Sequence, residues 1–180
     1  MPKIKMLLLA MALPAALFAA TTEISMPMKM DNIAARFQKN CPENVKFSAQ
    51  QDTLVITLDA TKGKGSFDGV HAVSLKPLAG RVVTFIFDVK VDKAESSDGT
   101  NIHSVGRISV GGNAQHLLVR NTGWHTYVFK SVKIPGNGLL KMRFSFKNVS
   151  GEVQIRNPRI KGDLPKVPKK KTKSKKNKKD

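Results

Sequence analysis

A period of two in hydrophobicity is the feature that most constrains the fold of this chain. It is clearest in residues 85–92, where one side is apolar and the other is mostly charged. Phe85, Phe87, Val89 and Val91 alternate with Ile86, Asp88, Lys90 and Asp92. Residues 141–147 and 153–155 repeat the pattern, and residues 128–134 repeat it less cleanly. Because successive side chains of a strand point to opposite faces, this alternation predicts strands with one face in a core.

Shorter apolar segments add further strands, separated by clusters of turn-forming residues. The strand candidates are residues 45–49, 54–58, 70–75, 105–110 and 115–119, and the turn clusters are residues 61–65, 77–80, 96–99, 111–113 and 135–138. About eight short strands with such turns predict an all-β antiparallel sandwich, specifically a jelly roll. Residues 31–39 are the one helical candidate and are expected to form a short helix or a turn at one end of the sandwich, with Asp31 or Asn32 as the cap and Ile33, Arg36 and Phe37 on one face.

The N-terminus indicates export. Lys3 and Lys5 precede an apolar run over residues 6–18, and Ala19 and Ala20 follow it. This is the layout of a secretory signal peptide, and the run is shorter than the roughly 20 residues of a membrane span. We therefore expect a signal peptide over residues 1–20, no transmembrane segment after its cleavage, and a periplasmic, cell-surface or extracellular location.

The charge of +18 is unevenly distributed. Residues 163–180 contain nine lysines, no arginine and no aromatic residue. Such a segment is expected to be disordered, because it cannot bury enough apolar surface to offset its ordering entropy. It is either a solubilising extension or a non-specific, salt-dependent grip on a polyanion. The polyanion-binding candidates are Lys169, Lys170, Lys171, Lys173, Lys175, Lys176, Lys178 and Lys179.

Between signal and tail the sequence predicts a single domain. Residues 21–41 are expected to form an N-terminal segment that contains the short helix, and residues 42–162 the sandwich. The single cysteine, Cys41, has no partner for an intramolecular disulfide and no catalytic signature around it, so an idle thiol is the favoured interpretation.

The strand order resembles the jelly-roll carbohydrate-binding modules of the galactose-binding-like superfamily, which are often appended to bacterial polysaccharide hydrolases. The matching pieces lie within residues 42–161. They are the strand pair 44–49 and 53–59, the stretch 73–80 before the strand 82–91, the tryptophan-led strand entry 123–127, and the closing strand 151–160. The resemblance implies a non-catalytic, polysaccharide-binding domain.

Two departures qualify the resemblance. Related modules usually carry an acidic residue just before the asparagine of the closing strand, where it helps to hold a structural calcium, but this chain has Arg156 there. A guanidinium supplies no oxygen ligand, so no calcium or other cofactor is expected. The chain also has one tryptophan and one tyrosine for stacking on sugars, and Trp124 is interpreted as a packing anchor rather than a platform.

A glycan-binding groove would therefore depend on few residues. If Val128 and Val132 face the core, Tyr127 points outward and is available. The ligand-binding candidates are Tyr127, Trp124, Gln115, His116, Arg120 and Asn121. Asp59, Asp68 and Glu152 could ligate a metal elsewhere, although scattered surface acids are the favoured account.

Catalysis has little support in the sequence. The four histidines do not occur at metal-ligand spacing, and no HExxH, CxxC or GxSxG motif is present. The leading hypothesis is an exported, non-catalytic module that attaches to polysaccharide or an anionic envelope polymer, with the lysine tail adding attraction. The second is a structural module that binds a protein partner and is tethered by its tail. The third is an uncharacterised glycoside hydrolase. No specific nucleic-acid target is expected of an exported protein.

Overall fold

The structure is a computed structural model that describes residues 22–25, 29–39, 41–62 and 66–162. The described chain forms ten strands and one α-helix. They are β1 (Thr22–Ser25), α1 (Met30–Gln38), β2 (Val45–Gln50), β3 (Thr53–Leu58), β4 (Ser66–Ser74), β5 (Val82–Ser96), β6 (Ser104–Val110), β7 (Asn113–Leu118), β8 (His125–Lys133), β9 (Leu139–Lys147) and β10 (Val149–Gly162), with short 3-10 turns at Ala60–Lys62 and Lys76–Leu78. The predicted signal peptide and lysine-rich tail lie outside the described residues.

The strands form two antiparallel sheets. Sheet A has the order β2-β3-β10-β5-β8, with β1 paired to β10, and sheet B has the order β4-β9-β6-β7. The chain passes from one sheet to the other at every connection between β3 and β6 and again between β7 and β10. Consecutive strands such as β4 and β5 therefore lie in different sheets. The predicted all-β jelly-roll sandwich is confirmed, and no helix in the described ranges has the length and apolarity to cross a bilayer.

The core lies between the two sheets and contains the residues that the alternation assigned to it. Phe85, Phe87, Val89 and Val91 are at most 1 % exposed, whereas Asp88, Lys90 and Asp92 lie on the outer face of sheet A. Met142, Phe144 and Phe146 face inward from sheet B, and Val153 and Ile155 from sheet A. Full burial of each large apolar side chain contributes roughly 1.5–3 kcal/mol, so this packing is the main source of stability.

Helix α1 closes one side of the sandwich, between the edge strands β2 and β4. Its Phe37 packs on Phe47 with ring centroids 5.1 Å apart and meets Phe144 edge-on at 4.9 Å. The predicted helix is confirmed, but its predicted cap is wrong. Lys29 is the N-cap without a side-chain cap bond, and Asp31 lies in the first turn, where a negative charge is favourable.

A β-bulge in β8 reverses the predicted orientation of Tyr127. Val83 is opposite Val132 and Phe85 is opposite Phe129, so β8 contains one extra residue between these pairs. Ser131 has a φ of 54° at this point. One inserted residue shifts the alternation, so Val132 faces the core together with Tyr127 and Phe129, and Val128 points outward. The prediction that Tyr127 is exposed is therefore wrong.

The N-terminal segment contributes to sheet A. Residues 22–25 pair with residues 159–162 of β10, and β3 pairs with residues 151–155 of the same strand. Strands β1 and β3 therefore follow one another along one side of β10. A second irregularity interrupts β10 between Arg156 and Arg159, where Asn157 has a φ of 50° and Pro158 is buried. A proline is tolerated there because the irregularity requires no ladder hydrogen bond from it.

Candidate functional site

A shallow cleft lies where the edge strand β7 of sheet B meets the edge strand β8 of sheet A. Its volume is about 390 Å³. Four of the six predicted ligand-binding residues line it: Gln115, His116, Asn121 and Tyr127. Leu118, His125 and Thr126 complete the lining. They come together because residues 119–124 connect the ends of β7 and β8, so the lining comes from one contiguous stretch of chain.

Two amide side chains of β7, those of Gln115 in the cleft and of Asn113 beside it, also connect the two edge strands. Gln115 donates its Nε2 to the carbonyl of Val128 at 2.7 Å, and Asn113 donates its Nδ2 to the carbonyl of Lys130 at 3.2 Å. An edge strand without a ladder partner exposes unpaired carbonyls, and these amides satisfy two of them. Gln115 thus has a structural contact that sequence reasoning missed.

Tyr127 anchors the wall of the cleft. Its hydroxyl donates to the carbonyl of His116 at 2.9 Å and accepts from Asn121 Nδ2 at 2.8 Å and the Leu118 amide at 3.3 Å. The Tyr127 and Asn121 residues are 6 % and 5 % exposed. Tyr127 therefore contributes a fixed wall rather than a free stacking face. The exposed groups of the cleft are His116, His125 and Thr126.

The other two predicted residues lie outside this cleft. Arg120 is exposed and lines a neighbouring hollow with His103. Trp124 is half-buried, and the guanidinium of Arg156 lies 3.7 Å from its ring centroid, the geometry of a cation–π contact. The Arg156 Nε is buried and has no hydrogen-bond partner among the described residues, so the contact with the ring helps to hold this cation in place. One face of Trp124 is therefore occupied by the protein itself.

Asp88 joins strands on the outer face of sheet A. It accepts hydrogen bonds from Thr126 Oγ1 at 3.1 Å, Asn157 Nδ2 at 2.8 Å and Arg159 Nη2 at 2.8 Å. These donors come from β8 and from the irregular part of β10. The carboxylate thus fixes the position of Thr126, which lines the cleft, relative to the closing strand.

The acids considered as metal ligands are engaged separately. Asp68 pairs with Arg143, Asp59 accepts from Thr61 and pairs with Lys62, and Glu152 accepts from Gln154. Within the described ranges, no group of three or more His, Cys, Asp or Glu side chains is placed to hold a metal ion.

The pKa shifts of Asp98, Asp59 and Cys41 are not those of an acid catalyst or a nucleophile. Hydrogen bonds from Ser96 and Thr100 lower the pKa of Asp98 to about 2, and a hydrogen bond from Thr61 is the main cause of the lowered pKa of Asp59. A carboxyl group that acts as a general acid near neutral pH needs a raised pKa. Burial raises the pKa of Cys41 to about 11, and its Sγ donates to the carbonyl of Phe37 at 3.1 Å. A thiol so disposed is a poor nucleophile at neutral pH.

Comparisons with known proteins give matches in structure but none in sequence. No protein-family model matches the sequence, and no curated protein is significantly similar to it. A solved structure described as "CBM4 structure and function" is similar with 13 % identity and a TM-score of 0.42. The match covers 66 % of this chain and 76 % of that one. At this identity and TM-score, the similarity carries no information about ligand or activity.

Proposed function

We propose that the protein is an exported, non-catalytic module that attaches to polysaccharide, with the lysine-rich segment over residues 163–180 adding electrostatic attraction. The cleft between β7 and β8 is the observation that carries this proposal. It is open and mixed in polarity, and its Tyr127 wall is held rigidly by three hydrogen bonds. A rigid wall with exposed polar groups suits a hydroxyl-rich ligand, because the protein loses little conformational entropy when the ligand binds.

The available groups match the chemistry of a sugar. The imidazoles of His116 and His125 can each donate or accept hydrogen bonds. The hydroxyl of Thr126 already donates to Asp88, so it can accept a hydrogen bond from a sugar. Leu118 supplies an apolar surface for the C–H groups of the ring.

The proposal is tested by replacing exposed cleft residues one at a time. We expect His116→Ala and His125→Ala each to weaken polysaccharide binding about threefold to tenfold, the loss of one or two hydrogen bonds. Affinity electrophoresis of the full chain in gels containing neutral or acidic polysaccharides measures this. His103→Ala is the matched control, since His103 is exposed and lies outside the cleft.

Two results would refute the assignment. If the full chain binds none of the polysaccharides, the proposed function fails. If His103→Ala weakens binding as much as the cleft substitutions do, the cleft is not the site. A protein that co-purifies in stable complex while no glycan binds would favour the structural, protein-binding alternative.

A further inference from the structure

The outer face of sheet B carries a second, chemically different hollow. Its volume is about 350 Å³, and Arg107, Arg143, Ser109, Ser145 and Asp68 are among the residues that line it. The two arginines are exposed, whereas the two serines are half-buried. Short serines between long arginines leave a depression flanked by guanidinium groups.

The strand register places these residues in a regular pattern. Arg107 of β6 is opposite Ser145 of β9, and Ser109 of β6 is opposite Arg143 of β9. The arginines therefore occupy diagonal positions on neighbouring strands, roughly 7–8 Å apart at the backbone, within reach of one ligand. The serines occupy the other diagonal and present two hydroxyls between the cations.

Asp68 on β4 orients one of the two arginines. Arg143 donates its Nε to Oδ1 and its Nη2 to Oδ2 of Asp68, both at 2.6 Å. A guanidinium has five N–H donors, so three remain for a ligand. Arg107 forms no ion pair with any described residue, so all of its charge is available. One arginine is thus held in place, and the other is free to close on a bound group.

The surroundings of the hollow are also basic. Lys141 and Lys147 lie on the same outer face of β9. Asp68 is the one acid at an outward position on the four strands of this sheet, and Arg143 already pairs with it. The face therefore attracts anions. His116 lies opposite Arg107 on β7, so the hollow adjoins the cleft described above.

We propose that the outer face of sheet B binds the acidic groups of a polysaccharide, with Arg107 and Arg143 pairing with its carboxylate or sulfate groups and Ser109 and Ser145 bonding to its hydroxyls. Guanidinium forks suit both anions because they form two parallel hydrogen bonds. None of the described residues that line the hollow is aromatic, so they offer no stacking surface of the kind with which proteins hold nucleic-acid bases. The inference rests on the proposed function and specifies its ligand class.

The test compares two double variants of the full chain that lose the same charge. Arg107→Gln with Arg143→Gln removes the two cations of the hollow. Lys46→Gln with Lys161→Gln removes two exposed cations from the outer face of sheet A. Each protein is titrated with polygalacturonate and its neutral methyl ester, and with dextran sulfate and neutral dextran. These pairs share a sugar backbone and differ in the acidic group.

We expect the arginine variant to bind the acidic polymers about tenfold more weakly, whereas the lysine variant changes by less than about threefold. A loss confined to polygalacturonate identifies carboxylate as the recognised group, and a loss confined to dextran sulfate identifies sulfate. Equal losses in both double variants would overturn the proposal, because they would indicate general charge attraction.

Other outcomes separate this inference from the proposed function. Preference for a neutral polymer, with binding unaffected by the arginine substitutions, overturns the inference and leaves polysaccharide binding intact. Absence of binding to all four polymers overturns both. Circular dichroism checks folding. If removal of Arg143 unfolds the protein because Asp68 loses its partner, Arg107→Gln alone repeats the test without disturbing an ion pair.

Discussion

Among single residues, Tyr127 has a hydroxyl whose removal would leave buried polar groups without partners. The hydroxyl donates to the His116 carbonyl and accepts from the Asn121 side-chain amide, and both Tyr127 and Asn121 are buried. We expect Tyr127→Phe to lower the free energy of unfolding by about 1–3 kcal/mol, because the buried partners lose their hydrogen bonds. Urea denaturation measures the change.

An exposed hydroxyl provides the comparison for that prediction. Thr57 of β3 is exposed, and Thr57→Val keeps its branched shape. We expect its effect to stay within about 0.5 kcal/mol. Equal stability of Tyr127→Phe and the unmodified protein would contradict the account of the cleft wall.

His71 is a second residue whose surroundings make a prediction. Burial, and secondly the charge of Arg36, lower the pKa of His71 below its usual 6.5, and Arg36 Nη1 lies 2.8 Å from its Nε2. The unfolded chain binds this proton more readily than the folded one. The stability contributed by neutral His71 is therefore present above about pH 6.5 and is lost as the pH falls through the folded pKa.

We expect Arg36→Gln to raise the pKa of His71 towards its usual value, part of the way because burial remains. An NMR titration of the imidazole resonances measures this. Lys39→Gln removes an exposed charge at the end of the same helix and should leave the pKa of His71 where it is. If Lys39→Gln raises the pKa of His71 as much as Arg36→Gln does, the contact with Arg36 does not contribute specifically to the lowered pKa.

At the scale of elements, the connection between β8 and β9 provides a paired test. Gly138 has a φ of 70°, and a Cβ added there would lie 2.5 Å from Lys76 Cα. Gly136, two residues earlier, has open space around its Cβ position. We expect Gly138→Ala to destabilise the fold by roughly 2 kcal/mol or more, from both backbone strain and the close contact.

Gly136→Ala serves as the control for that substitution. We expect it to raise the free energy of unfolding by less than about 1 kcal/mol, because alanine lowers the conformational entropy of the unfolded chain. Thermal or urea unfolding compares the two variants. A destabilisation of Gly136→Ala equal to that of Gly138→Ala would show that the turn is not held as described.

Elements with a clean period of two were predictable from sequence, and those with an irregularity were not. The inward faces of β5 and β9, and those of Val153 and Ile155 in the regular part of β10, follow directly from alternation. The orientation of β8 before Ser131 could not be inferred, because one extra residue reverses the pattern without a clear sequence signal. Strand β1 was missed because its four residues gain their structure from pairing with β10.

At the scale of the whole molecule, contiguous sites were easier to predict than sites formed by distant strands. The cleft residues lie between positions 115 and 127, so a single connection brings them together. The hollow containing Asp68, Arg107 and Arg143 depends on the order β4-β9-β6 in sheet B, which alternation does not reveal. The stack of Trp124 on Arg156 likewise depends on β5 lying between β8 and β10.

On the proposed function, the sandwich itself, and not the lysine-rich segment alone, recognises polysaccharide. The most direct measurement replaces the eight lysines between residues 169 and 179 with serine and compares binding to the best-bound polysaccharide at low and high salt. We expect the variant to retain binding and to lose part of the salt dependence, since the lysines add long-range attraction. Loss of binding in this variant at low salt would contradict the claim and assign the interaction to the tail.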